Sequence, residues 1–336
     1  MKFCSNLAFM FTEASSVLER YALAKDAGFK AVETGFPLGH TVEQVKQAKE
    51  KAGVEQVLIN LKTGDVTKGE LGVTAVPGKE NEFKDNLKLT IEYAKAVGAK
   101  KIHIMAGRLD TVISENWTTY ENNLKYAAEL LKDDNILGVI EPINQHSVPK
   151  YFLSDYGKAV DIIKRINSPH IKLQLDIFHL QHICGDLSHN IKNLMPYVGH
   201  VQIAQVPNRN EPDTVGEVNY SYVLQHLEQC GYNDWIGLEY KPAAGSKAGL
   251  KWIQNFGNAP KADNSITDAA TSITDRDSTK LELHNITIRE NALVKDVMMQ
   301  GIVFMLAHHC QRSLEQTQNL KVSNLHNHLR GCDNDG

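Results

Sequence analysis

The chain reads as a (β/α)8 barrel, and three observations lead there. Strand-like and helix-like segments alternate from residue 1 to about residue 257. They make eight strand–helix units in roughly 250 residues, the size and order of that fold. Four consecutive strands late in the series each carry a carboxylate or carboxamide near the end, and a barrel gathers strand C-termini at one mouth. An open doubly wound sheet alternates in the same way and is the competing architecture. No Gly-x-Gly-x-x-Gly follows the first strand, so a dinucleotide site has no support.

Taken in order, Phe3 to Leu7 is a first strand and Thr12 to Ala27 a helix ending at Gly28. Lys30 to Glu33 is the second strand, followed by a helix from Thr41 to Lys51 with Gly53 beyond it. Gln56 to Asn60 is the third strand, and a Gly- and Pro-bearing loop runs from Lys62 through Gly78. Glu80 to Ala96 is helical, with Leu87, Ile91 and Ala94 near a 3.6-residue period and Gly98 as the stop. Lys101 to Met105 is the fourth strand and Thr118 to Lys132 the next helix.

The fifth strand, Leu137-Gly138-Val139-Ile140, ends in Glu141, and Pro142 biases that residue away from helix. Asp155 to Ile166 is helical, and Ile171 to Asp176 is the sixth strand. Leu187 to Met195 is a helix, Val201 to Ala204 the seventh strand, and Tyr220 to Cys230 a helix closed by Gly231. Trp235-Ile236-Gly237-Leu238 repeats the fifth strand's design and ends in Glu239; Leu250 to Asn255 begins a last helix.

After about residue 257 the character changes. Residues 258–279 are rich in Asp, Ser, Thr and Ala, as in a flexible connector, and residues 290–315 suit one helix. One helix cannot bury a core of its own. The division is therefore a catalytic barrel over 1–257 and a C-terminal appendage over 258–336, partly disordered or one helix, and not a second catalytic domain. Its histidines, His284, His308, His309, His326 and His328, lack the spacing of a zinc site.

The bulk numbers narrow the partners. A formal net charge of −4 argues against a nucleic-acid surface built on bulk positive charge. Five scattered cysteines without a CxxC read as reduced thiols of a cytoplasmic protein. No N-terminal apolar stretch is long enough for a signal peptide, and none for a membrane span.

Glu141, Asp176, Gln202 and Glu239 fall at the ends of strands five to eight, neighbours around a closed barrel. Oxygen donors of this kind suit a hard divalent cation such as Mg²⁺ or Mn²⁺. Any one such acid is adequately explained as a solvated strand end; for three acids and an amide on four successive strands that is the poorer explanation. His179 and Arg209 lie beside them and are candidates for holding an anionic or hydroxylated substrate. His103 and His200 fall within strands and read as core or supporting groups.

These residues resemble hydroxypyruvate isomerase, of the xylose-isomerase-like barrels. The resemblance is carried by Val57 to Asn60, the Gly64-to-Gly78 loop, Ile102 to Arg108, Glu141-Pro142-Ile143-Asn144 and Asp176-Ile177-Phe178-His179. Gly199 to Pro207, Gly216-Glu217 and Glu239-Tyr240 complete it. It spans residues 1 to about 257 and is specific as a set. It implies interconversion of hydroxypyruvate and 2-hydroxy-3-oxopropanoate, with Glu141 and Glu239 as proton donor and acceptor. It also implies a divalent metal at the mouth, and a small hydroxy-oxo acid as the partner, with a homo-oligomer possible. Related sugar epimerases carry histidine where Gln202 stands. A metal-dependent ketose 3-epimerase is the alternative enzyme. An inactive barrel acting through its tail is the alternative outside enzymes.

Overall fold

The structure is a computed structural model and describes residues 1–64 and 69–256. Eight parallel strands close into a barrel in sequential order, β1 to β8, with β1 pairing β8. The strands are β1 Lys2–Asn6, β2 Ala31–Thr34, β3 Glu55–Asn60, β4 Lys101–His103, β5 Leu137–Ile140, β6 Ile171–Asp176, β7 Val198–Ile203 and β8 Trp235–Leu238. Around them run α1 Val17–Asp26, α2 Val42–Ala52, α3 Glu80–Val97, α4 Ser114–Asp133, α5 Tyr156–Ile166, α6 Ile177–Ile183, α7 Leu187–Leu194, α8 Tyr220–Gln229 and α9 Ile253–Phe256. Closure excludes the open-sheet alternative.

Local chemistry sets the helix limits. The α2 start is a capping box, with Thr41 and Gln44 each satisfying the other's backbone N–H, and Gly53 ends it in the left-handed region at φ 64°. Asp155 caps α5 through Lys158 N–H, and the helix buries Tyr156, Ala159, Val160, Ile162 and Ile163 along one stripe. Helix α1 begins at Val17, five residues later than the apolar pattern suggests. Ser16, in extended backbone, caps it through Leu18 N–H and so sets the start. Helix α6, directly after Asp176, has no counterpart among the sequence-based elements. The expected tail features after residue 257 lie outside the described residues.

Strand alternation divides the barrel into two chemistries. On β4, β6 and β7 the outward residues Ile102, Leu173, Leu175, Val201 and Ile203 join the main core beneath the helices. The intervening residues Lys101, His103, Gln174, Asp176, His200 and Gln202 are all buried and polar. The barrel interior is thus a polar network rather than a purely apolar plug, and such groups are tolerated only where they satisfy one another.

Gly237 on β8 belongs to this arrangement. A Cβ there would stand 2.4 Å from Oε1 of the buried Glu33 carboxylate. Gly237→Ala is expected to destabilise the protein by about 1–3 kcal/mol through overpacking, read as a lower denaturant midpoint at unchanged slope.

Candidate active site

The strand ends place the predicted acids together. Glu141 follows β5, Asp176 ends β6, and Glu239 follows β8. Asp176 also caps α6, accepting from Phe178 N–H at 2.8 Å. That turn carries His179 back over the cluster, three residues on. Ligand atoms of Glu141, Asp176, His179 and Glu239 all lie within 4.8 Å of one another, and Glu141, Asp176 and His179 are almost wholly inaccessible.

Three carboxyl groups this close and this buried resist ionisation. Burial first, then the charges of Glu239 and Asp176, push Glu141 well above the carboxylate range. Burial raises Asp176 against the pull of Arg209. Glu239 is pushed up to about 8, chiefly by burial, with Arg209 opposing and Asp176 and Glu33 adding to the rise.

Arg209 sits inside this group. Its Nη2 donates to Glu239 Oε2 and, at 3.3 Å, to Asp176 Oδ2, while the guanidinium lies 4.6 Å from the Phe9 ring and 4.8 Å from the Phe178 ring. The two rings fix the plane of the guanidinium. Its Nη1 has no hydrogen-bond partner among the described residues.

The tautomer of His179 follows from its neighbours. Asn144 Oδ1 accepts from Ser147 N–H, so the Asn144 amide nitrogen is the group facing His179 Nδ1, at 2.7 Å. The Asn144 backbone N–H donates to the same nitrogen at 3.2 Å. Nδ1 is thus an acceptor, and Nε2 carries the hydrogen towards Asp176 Oδ2 at 3.7 Å and Glu141 Oε1 at 3.9 Å. Burial keeps the ring neutral, well below its ordinary pKa. In this state His179 offers a hydrogen-bond donor to the mouth rather than a lone pair.

Gln202 lies on the same face of β7 as His200. Its amide nitrogen donates to Glu33 Oε1 at 2.6 Å, and its oxygen accepts from Gln174 at 2.7 Å. His103, held neutral at a pKa of about 3 by burial, stands 3.5 Å from Glu141 Oε2.

Glu33 itself escaped the sequence reading. It is fully buried and accepts from Asn6, Gln202 and His200. Burial raises its pKa, but electrostatic attraction to the His200 ring and the hydrogen bonds of His200, Gln202 and Asn6 outweigh that and hold it below the carboxylate range. The signal was present: Ala31-Val32-Glu33 is the same apolar pair ending in an acid that marks β5.

The donor set can hold a divalent metal. Three carboxylates converge, and Glu141 Oε1 is buried without a hydrogen-bond partner, as an oxygen awaiting a cation would be. The His179 tautomer leaves the carboxylates as the hard donors of this group. A second cluster, Cys4, Glu33 and His200, is equally buried, but Lys101 Nζ lies 3.2 Å from His200 Nδ1, where a positive charge disfavours a cation. No helix among the described residues is long and apolar enough to cross a membrane.

Comparison with known proteins agrees with this architecture. The model of a family described as a xylose isomerase-like TIM barrel matches residues 21–256. A Danio rerio protein with a provisional hydroxypyruvate isomerase name is 43% identical over 263 residues, which cover 76% of this chain and 95% of that one. The hydroxypyruvate isomerase of Escherichia coli K12 is 37% identical over 258 residues, covering 76% of this chain and 99% of that protein. Among solved structures, an AP endonuclease, family 2, from Brucella melitensis superposes with a TM-score of 0.73 at 38% identity, covering 76% of this chain and 98% of the other.

Proposed function

Because the chain belongs to the hydroxypyruvate isomerase family of xylose isomerase-like TIM barrels, we propose that it interconverts hydroxypyruvate and 2-hydroxy-3-oxopropanoate. The observation that carries this reading is the pair of glutamates, Glu141 and Glu239, at one mouth. Both are raised in pKa by burial, and both have oxygens within 4.8 Å of Asp176 and His179.

The reaction moves a carbonyl from C2 to C3. One glutamate removes a proton from C3 and an enediol forms between C2 and C3. The other returns a proton to C2, and a hydroxyl proton passes from O3 to O2. Carboxyl groups with raised pKa values can serve as acid and base in the two halves, and the return direction exchanges their roles. Arg209 Nη1 and the His179 Nε2–H are the donors for the substrate carboxylate and an oxygen on the reacting carbons. Glu141, Asp176, Gln202 and Glu239 are the residues to hold Mg²⁺ or Mn²⁺. Bound there, the ion supplies Lewis-acid stabilisation of negative charge on the substrate oxygens.

The substrate class is tested by supplying hydroxypyruvate and free ketohexoses in parallel. Turnover of hydroxypyruvate alone supports the acid isomerase, whereas epimerisation of a ketohexose at C3 replaces it with the alternative enzyme. Metal binding has its own signature in pH. With Glu239 raised from 4.5 to about 8, the metal-free fold holds a proton that the unfolded chain releases. The contribution of Glu239 to stability is therefore fullest below pH 4.5 and is lost as pH rises towards 8. A cation must displace that proton and restores the lost stability. The gain in melting temperature on adding Mn²⁺ is expected to be larger at pH 8 than at pH 5.5. An equal gain at both would contradict the ligand assignment.

A further inference from the structure

The hydrogen bonds inside the barrel form a chain whose direction can be followed from one end to the other. It begins at the end of the barrel away from the acids, where Asp234, just before β8, accepts from Lys101 Nζ at 2.8 Å. Lys101 has only donors to offer, and its second contact is His200 Nδ1 at 3.2 Å. Nδ1 must accept, so the His200 hydrogen sits on Nε2, which faces Glu33 Oε2 at 2.6 Å. On the other carboxylate oxygen, Oε1, two amide nitrogens converge, Gln202 at 2.6 Å and Asn6 at 2.8 Å.

Neither amide has a choice. Asn6 Oδ1 is taken by Ala8 N–H at 2.9 Å, so its NH2 group spans Glu33 and Glu239 Oε1, the latter at 3.2 Å. Gln202 can present only its NH2 group to a carboxylate that accepts on both oxygens, so its oxygen is turned the other way, to Gln174. That oxygen keeps a second lone pair.

We propose that Glu33 is a positioning residue: the fixed sense of the Asp234–Lys101–His200 chain brings a donor to Oε2, and the carboxylate accepts on Oε1 as well. It thereby turns the Gln202 carbonyl oxygen away from itself, to Gln174, and an Asn6 N–H onto Glu239. Only the benefit of that orientation to a bound cation rests on the function proposed above. Two features of the sequence serve this one side chain. Gly237 clears the space for its carboxylate, and a register shift between Val32 and Glu33 interrupts the β2–β3 pairing beside it.

The proposal predicts an unusual rescue. In Glu33→Gln, isosteric with the native residue, one end of the new amide must be NH2. It then opposes either the His200 N–H or the two amide N–H groups, and Gln202 is free to flip. Lys101→Gln removes the constraint upstream, because a glutamine there can accept from His200 Nδ1–H. His200 then changes tautomer and receives the N–H of the new amide, and Gln202 regains its original sense. Glu33→Gln is expected to weaken Mn²⁺ about 10–100-fold in calorimetry, the usual cost of losing a residue that orients a ligand. The double variant Glu33→Gln, Lys101→Gln is expected to recover most of that loss.

Nitrogen-15 shifts of His200 give a second readout that needs no metal and no turnover. They are expected to show Nε2–H in the native chain and Nδ1–H in the double variant. A native Nδ1–H form, or a double variant as weak as Glu33→Gln with His200 unchanged, overturns the proposal. If the native chain binds no Mn²⁺, the metal assignment proposed above fails, and the His200 tautomer alone decides this inference.

Discussion

Glu141→Gln and Glu239→Gln are each expected to lose about 10²–10⁴ of the turnover, equivalent to about 3–5 kcal/mol of transition-state stabilisation. Glutamine keeps an oxygen at the mouth but cannot carry a proton between substrate carbons. The loss should fall on kcat more than on KM, since Arg209 and His179 remain to hold the substrate. Glu141 is a buried acid pushed well above its ordinary pKa, and its Oε1 lacks a hydrogen-bond partner. Removing its ionisable group should therefore leave the metal-free protein at least as stable as before. A slow but stable Glu141→Gln separates lost chemistry from lost folding. Native-like turnover in either variant removes that glutamate from the mechanism.

Asp176 performs two tasks, and two substitutions separate them. Its Oδ1 caps α6 through Phe178, and its Oδ2 faces Arg209 and His179. Asp176→Ala removes both. It is expected to weaken Mn²⁺ at least about 100-fold, judged from what even supporting residues of metal sites cost, and to lose about 0.5–2 kcal/mol of capping. Asp176→Asn keeps an oxygen for the Phe178 N–H, so its stability should stay near the native value while metal binding still falls sharply. Calorimetry and thermal melts on the pair decide the matter. Undiminished Mn²⁺ affinity in Asp176→Ala removes this residue from the ligand set.

The barrel was legible because its evidence is periodic. Alternation of elements, and acids after Ile140, at the end of Leu173-Gln174-Leu175-Asp176 and after Leu238, depend only on neighbours in sequence. The same locality explains what was missed. Helix α6 follows a strand with no intervening turn signal, and only the Asp176 cap reveals it. Glu33 carries the strand-end acid pattern, but its importance comes from His200, 167 residues away, and Gln202, 169 residues away. Spacing along the chain cannot show that contact. Arg209 was placed near substrate from its turn, but its lodging against Phe9 and Phe178 depends on a loop after β1 and on helix α6, both distant in sequence. The alternation Lys101-Ile102-His103 and His200-Val201-Gln202 was the available clue that the barrel interior is polar.

The most direct test of the central claim is proton transfer itself. Hydroxypyruvate incubated with the purified chain and Mg²⁺ in D₂O, followed by NMR, should yield 2-hydroxy-3-oxopropanoate bearing deuterium at C2. Both glutamine variants should reduce that label together with the product. Hydroxypyruvate left unchanged by the native chain, with and without Mg²⁺ or Mn²⁺, would contradict the account.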